Sequence, residues 1–263
     1  MEHPGLPAVP PGTLFLVGTP IGNPRDLSPR AGDTLRSVDL VVCEDRKEGL
    51  RILRQCGVNR KRIIELNEHT EEETAVELID ALLHGLSVAL FSDCGMPVLD
   101  DPGGILVRMA IDRGISIIAI PGPTSVATAL ALCGFDVGRY YYAGFVSAKT
   151  ERRRQELYDL RHLTIPVVFL ETPYRLKSFF TDLARAFGSN RRACAACDLT
   201  SPHEKVIRGT LGELAAFFQV DSSKRECVAI VEGKVSPSKG VSSSHRNPFR
   251  RKGPKRGKDS PPR

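Results

Sequence analysis

The chain has 263 residues, 41% hydrophobic and 26% charged, with no Trp and a formal charge of +6. That is enough apolar material for two modest domains and too much for a chain disordered throughout. The longest apolar runs, Val126–Cys133 and Ile115–Ile120, fall far short of the roughly 18–20 residues that cross a bilayer, and the first dozen residues (Glu2, His3 and four prolines among them) lack a secretory pattern.

Taken in chain order, residues 1–12 read as an extension and Thr13–Gly18 as a short apolar strand. Ser28-Pro29 starts a helix, with Ser as N-cap and Pro in the first turn, and Ala31, Leu35 and Val38 fall on one face. Asp39–Cys43 is a second strand, Arg46–Cys56 a basic helix closed by Gly57, and Arg62–Leu66 a third strand. Thr70–Glu73 has the form of a capping box, followed by Val76, Ile79, Leu82 and Leu83 at helical spacing. Ser87–Phe91 is a continuous apolar strand; Asp101-Pro102 is read as the cap of a helix through Leu106 and Met109; Ile115–Ile120 closes the unit. Strands alternating with helices over residues 13–122 predict a parallel α/β sheet.

After Pro121-Gly122-Pro123 the rhythm changes. Thr124–Cys133 predicts a helix of small residues, Tyr140–Tyr142 a buried strand rather than a base-stacking surface, and Lys149–Leu160 a charged helix. Val167–Leu170 predicts a strand and Pro173–Phe187 a helix; Arg191–Cys197 and Lys205–Arg208 form a hairpin, then come a helix over Leu211–Phe218 and a last strand at Cys227–Val231. Residues 123–233 thus read as a mixed α/β unit. From Lys234 onward ten Lys/Arg face one acid, Asp259, in a Ser-, Pro- and Gly-rich stretch. Residues 234–263 are therefore expected to be a disordered basic tail able to track a phosphate backbone. The seven cysteines show no framework spacing and are expected to be reduced core residues. Cys194-Ala-Ala-Cys197 has no second pair of ligands after it, so no metal site is expected.

The phosphate loop, the metalloprotease helix motif, the nucleophile elbow and the dinucleotide glycine fingerprint are all missing. What remains are four Gly-, Pro- and acid-bearing clusters at the carboxyl ends of predicted strands: Gly18–Asn23, Glu44–Lys47, Ser92–Pro97 and Pro121–Ser125. Ligands of open α/β sheets bind at that edge, where Gly permits close approach and Pro fixes the turn. One such cluster is ordinary turn chemistry; four at one edge predict a binding cleft.

These clusters carry a resemblance. Thr19-Pro20-Ile21-Gly22-Asn23, Asp93-x-Gly95-x-Pro97, Asp101-Pro102-Gly103, Pro121-Gly122-Pro123, Gly144-Phe145, Glu171-x-Pro173-x-Arg175 and Arg208-Gly209-Thr210 occur in this order. The chain resembles the tetrapyrrole-methylase superfamily of S-adenosylmethionine-dependent methyltransferases and, within it, the ribosomal RNA small subunit methyltransferase I family, whose members methylate a cytidine 2′-hydroxyl of 16S rRNA. The resemblance covers roughly Leu14 to Gly233. It departs from the family pattern at Arg46, Met96, Tyr174 and Cys197. It implies a parallel-sheet N-terminal domain, a mixed α/β C-terminal domain and a cofactor cleft between them.

On that resemblance, S-adenosylmethionine is the cofactor, with Thr19, Pro20, Asp93, Gly95, Pro97, Thr124, Ser125 and Ala127 expected around its methionine end. Backbone N–H groups would do the holding, and Leu199 and Gly209 would cover the adenosine part. A ribose hydroxyl needs a base or charged partner, for which Glu44, Asp45, His69 and Lys205 are candidates among which sequence does not choose. Arg46, Arg175, the run Arg152-Arg153-Arg154 and the tail residues Arg250, Arg251 and Lys252 are the expected RNA contacts. The implied partners are 16S rRNA or the small ribosomal subunit and a second copy of the chain, in the cytoplasm, without membrane or metal. Two other readings stay open: a methyltransferase of the same fold acting on a tetrapyrrole or other small molecule, and a non-catalytic RNA-binding relative.

Overall fold

The computed structural model describes residues 9–58 and 61–234. The expected basic tail after Lys234, with Arg250, Arg251 and Lys252, and the first eight residues of the expected extension lie outside the described residues.

The first half alternates strand and helix: β1 (Thr13–Val17), α1 (Pro29–Ser37), β2 (Leu40–Cys43), α2 (Arg46–Gln55), β3 (Arg62–Glu65), α3 (Glu71–Leu83), β4 (Val88–Phe91), α4 (Gly104–Asp112) and β5 (Ser116–Ile120). Its five strands lie in the order β3-β2-β4-β1-β5, all parallel. Alternate residues of β4 serve opposite faces. Ala89 and Phe91 pack with Leu35 of α1 and Ile52 of α2, while Val88 and Leu90 pack with Leu78 of α3 and Leu106 of α4. Helices on both faces explain why β4 reads as an unbroken apolar run: no residue of it is more than 2% exposed.

The chains leaving the neighbouring strands β1 and β4 run to opposite faces, so a topological switch point falls between them. The loops after these strands meet there. Thr19 is fully buried; its N–H donates to the Gly95 carbonyl (2.8 Å) and its Oγ1 to the Ser92 carbonyl (2.9 Å). A Cβ on Gly18 would sit 2.6 Å from the backbone of Gly122, so only glycine lets the β1 and β5 loops approach this closely.

The second half comprises α5 (Ser125–Cys133), β6 (Tyr141–Phe145), α6 (Thr150–Leu160), β7 (Val167–Glu171), α7 (Leu176–Phe187), β8 (Arg192–Cys197), β9 (Lys205–Thr210), α8 (Leu211–Val220) and β10 (Cys227–Val231). The sheet order is β6-β7-β10-β8-β9, with only the β6–β7 pair parallel. One face carries α6, α7 and α8 over a core of Phe169, Phe179, Phe180, Phe187 and Phe218. Against the other face lie α5, through Val126, Ala129 and Leu130, and Ile21 from the β1 loop. Six of the seven cysteines are buried and all are free thiols. Among the described residues no helix is long and apolar enough to cross a membrane.

Three local expectations need correction. Thr70 caps α3 without a side-chain bond, so the capping box is absent; Asn67 Oδ1 instead accepts from the amides of His69 and Thr70. Asp101 does not cap α4. Its N-cap is Gly103, and Glu71 Oε1 accepts from the amides of Gly103 (2.9 Å) and Ile105 (2.8 Å) from a neighbouring helix. Tyr140 and Tyr141 are each 44% exposed, because β6 is an edge strand with only β7 beside it.

Candidate active site

A cavity of about 280 Å³ opens between the two sheets. Its lining is divided by chemistry. Ile21, Val126, Ala196, Leu199 and Val228 make an apolar wall toward β8, whereas Asp100, Asp101, Tyr142, Phe145, Glu171 and Thr172 lie toward β6 and β7. Two contacts between the halves bound it. At the β8 end the Asn23 amide donates to Thr200 Oγ1 (2.9 Å); at the β6 end the Tyr142 hydroxyl donates to Asp100. The non-glycine residues with left-handed backbone among those described are Val98, Asp100, Asp198 and Thr200, all in the two segments that make these contacts. Such strain persists where surrounding structure over-determines it, and it gathers at functional sites.

Five acids and no Lys, Arg or His line the cavity. Glu171 is paired with Arg175 (2.7 Å) and Asp198 with Arg225 (2.9 Å). Asp100 has only a phenol for company, and Asp101 and Glu226 have no cation in the ion pairs of the described residues. The wall therefore favours a positively charged ligand. Burial pushes the Asp101 carboxyl up to about 6, with repulsion from Asp93 and Asp100 added and a Ser92 hydrogen bond opposing. Just behind, burial and then the Glu44 charge raise Asp93 to about 6. Glu44 is raised in turn, by burial first and then by Asp101, Glu68 and Asp45.

The apolar N-terminus of α5 completes the site. Thr124 Oγ1 accepts from the Ala127 amide (3.0 Å), which leaves the first-turn amides of Ser125 and Val126, both in the lining, at the positive end of the helix. These features fit S-adenosylmethionine: an apolar slot for a nucleobase, a helix N-terminus for a carboxylate, and acids facing a sulfonium and an ammonium.

Of the expected cofactor residues, Thr124, Ser125 and Leu199 line the cavity. Thr19, Pro20, Asp93, Gly95 and Pro97 do not; their chain neighbours Ile21, Cys94 and Met96 do. In a tight turn successive residues face opposite ways, and those named from the motif hold the loops together. Ala127 lies outside the lining, its amide donating to Thr124 Oγ1. Gly209 also lies outside it, beside Glu213 on the α8 side of the sheet.

None of the four expected bases lines the cavity. Asp45 is the N-cap of α2, its Oδ1 accepting from the amides of Lys47 and Glu48. The His69 side chain is 85% exposed and 3.7 Å from Glu68. Lys205 Nζ lies 4.4 Å from the Phe217 ring, on the face turned away from the cavity. Glu44 stands behind Asp101 as described.

The expected RNA contacts divide as well. Arg153 is corrected outright: it is 4% exposed and bonds Asp182 through Nε (3.1 Å) and Nη2 (2.8 Å). Arg154 also pairs with Asp182, and Arg175 spans Glu171 and the Val146 carbonyl, so both are occupied within the fold. Arg152 is exposed beside Glu156, and Arg46 is exposed with Nη1 near the Ile63 carbonyl. Sequence reasoning missed Tyr142, Asp100, Asp198 and Glu226. Glu171 carried a readable signal as the one acid closing the apolar run Val167–Leu170.

Comparison with known proteins decides the family. The profile described as Tetrapyrrole (Corrin/Porphyrin) Methylases matches residues 13–215. The chain belongs to the tetrapyrrole methylases. Their cofactor is S-adenosylmethionine. This methylase is 40% identical over 225 residues to a Xylella fastidiosa protein named Ribosomal RNA small subunit methyltransferase I, covering 85% of this chain and 82% of the relative. It is 37% identical over 229 residues to a Halalkalibacterium halodurans protein of the same name, covering 86% and 78%. Among solved structures it resembles a diphthine synthase (TM-score 0.67, 18% identity, 84% of this chain and 90% of that one). It also resembles a cobalt precorrin-4 methyltransferase (TM-score 0.62, 17% identity, 84% and 95%). At such identities these two show the fold alone.

Proposed function

We infer that this methylase transfers a methyl group from S-adenosylmethionine to a ribose 2′-hydroxyl of a cytidine in the RNA of the small ribosomal subunit. The observation that carries the reading is the cavity itself: an apolar wall at one end, unpaired carboxylates at the other, and no basic group between. Such a wall suits a nucleoside bearing a sulfonium. The names of relatives at 36–40% identity support RNA as acceptor, and the sequence motifs support the cytidine hydroxyl.

Methyl transfer from a sulfonium is an in-line displacement, so the protein mainly aligns the acceptor and removes its proton. Ile21, Leu199 and Val228 would clasp the nucleobase, and the Ser125 and Val126 amides would hold the carboxylate. Asp101 is the carboxylate suited to take the hydroxyl proton as the oxygen attacks, since it lines the cavity and titrates near neutrality. The working unit would be a cytoplasmic homodimer; exposed Val76, Leu83 and Ile111 on α3 and α4 offer an apolar surface for a second copy, which sedimentation would check.

The test pairs calorimetric titration of S-adenosylmethionine with transfer of labelled methyl to purified 30S subunits and mapping of the product nucleotide. Expected are cofactor binding, one modified cytidine, and a rate of transfer that rises with pH through about 6 as Asp101 ionises. Asp101→Asn should slow transfer by about 100-fold, within the range for a lost general base, and change affinity far less. Binding without transfer to RNA, or transfer only to a tetrapyrrole, would overturn the reading.

A further inference from the structure

The arginines that looked like an RNA path are mostly consumed by the fold, yet one cationic and aromatic surface beside the cavity is left free. Tyr174 is 78% exposed, an unusual setting for so large a ring. It follows Thr172 and Pro173, which are part of the cavity wall. Lys224 Nζ sits 4.7 Å from its ring centroid, two residues before Glu226 of the same wall. Beyond the ring a shallow groove between α6 and α7 is lined by Tyr174, Lys177, Ser178, Thr181 and Arg154. Lys177 and Lys224 are exposed, and neither is in an ion pair among the described residues. The nearest carboxylate in the groove, Asp182, is already bonded to Arg153 and Arg154.

We propose that Tyr174, flanked by Lys224 and Lys177, is a stacking platform for a single-stranded nucleotide of the RNA substrate next to the one that enters the cavity. The inference rests on the reading of the chain as an RNA methylase and adds where the acceptor strand lies. Lys224 Nζ stands over the ring, most of which is still exposed; an exposed aromatic ring is what an unpaired base stacks on, and Lys224 with Lys177 would meet the neighbouring phosphates. A peptide partner would find neither an apolar pocket nor an unpaired carboxylate there. The placement at the mouth of the cavity accounts for both groups at once: a strand lying along the α6–α7 groove passes Tyr174 before it reaches Thr172 and Pro173.

The chain contains no Trp, so Tyr174→Trp in the full-length protein puts a single indole fluorophore at the proposed contact. Oligocytidylate or 30S subunits should quench its emission, while heparin, a polyanion without bases, should bind the protein without quenching. In transfer assays Tyr174→Ala should raise KM for 30S subunits about 10-fold, in line with the loss of one base–aromatic stack, with kcat and cofactor affinity unchanged. Tyr174→Phe should behave as wild type. Lys177→Ala with Lys224→Ala should flatten the logarithmic salt slope of RNA binding by about 1.4, the release expected for two phosphates of a single strand. Unquenched indole emission from the Tyr174→Trp protein at saturating RNA, or a wild-type KM in Tyr174→Ala, would overturn the platform and leave the methylase reading intact. Quenching by RNA in a chain that transfers no methyl would uphold the platform and refute that reading.

Discussion

Arg152, Arg153 and Arg154 are consecutive and meet three different environments. On α6 they point about 100° apart, so one turns inward to Asp182 of α7, one straddles the boundary and one faces solvent. Arg153→Ala removes both hydrogen bonds to Asp182 Oδ2 but leaves Arg154 on Oδ1. It should therefore cost about 1.5–3 kcal/mol in urea unfolding, against less than about 0.5 kcal/mol for Arg152→Ala. Asp93 gives a pH-dependent case. Its carboxyl titrates near 6 in the fold against an ordinary 3.8. Both states hold the proton at low pH; as pH rises from about 4 to 6 the unfolded chain releases it first, and the fold loses stability. Asp93→Asn should remove that loss, stabilising the protein by about 1 kcal/mol at pH 7.5, after allowance for solvent screening of a half-buried group, and by nothing at pH 4. Denaturant titrations at the two pH values check the sign.

Helix ends show how far local pattern reaches. Ser28 and Thr124 cap α1 and α5 with their own side chains, as Ser-Pro and Thr-Ser starts suggest. Thr70 does not, although Thr70–Glu73 has the spacing of a capping box. Glu71 is drawn instead to the N-terminus of α4, where two amides and the helix dipole compete for it. Glu71→Ala should destabilise the protein by about 1–2 kcal/mol and speed amide exchange in the first turn of α4, while Glu73→Ala, on the exposed face, should do neither. The strands other than β6 were legible to within a residue or two because burial, on two faces as in β4, leaves a continuous apolar run; β6 runs three residues past the expected end at Tyr142. The exposure of β6 was not legible, since an edge strand is defined by the neighbour it lacks.

At the scale of the molecule, the two halves meet through Ile21 of the β1 loop and through the strained loops at Asp100 and Thr200, and the cavity lies between those contacts. The candidate cavity lies within the described body, and the residues after Gly233 carry ten Lys/Arg and one acid. A chain ending at Gly233 should bind 30S subunits more weakly, with a flatter salt dependence, and bind S-adenosylmethionine as tightly as the full chain; filter binding at several salt concentrations and calorimetry would check both. Sequence alone determined the fold class and three of the loops that reach the cavity, through Ile21, Cys94 and Ser125, because apolar period and Gly–Pro turns are local properties of the chain; the fourth expected cluster, Glu44–Lys47, does not line it. Along those loops the expected residues stand one or two positions from the cavity lining, Thr19 near Ile21 and Gly95 beside Met96. Only tertiary structure decided which side chains face the ligand, because Asp101, Tyr142, Asp198 and Glu226 come together through contacts between segments up to some 125 residues apart. The same holds for the arginines: whether a cation meets RNA or a buried carboxylate depends on what packs against its helix, and no spacing within the helix records that.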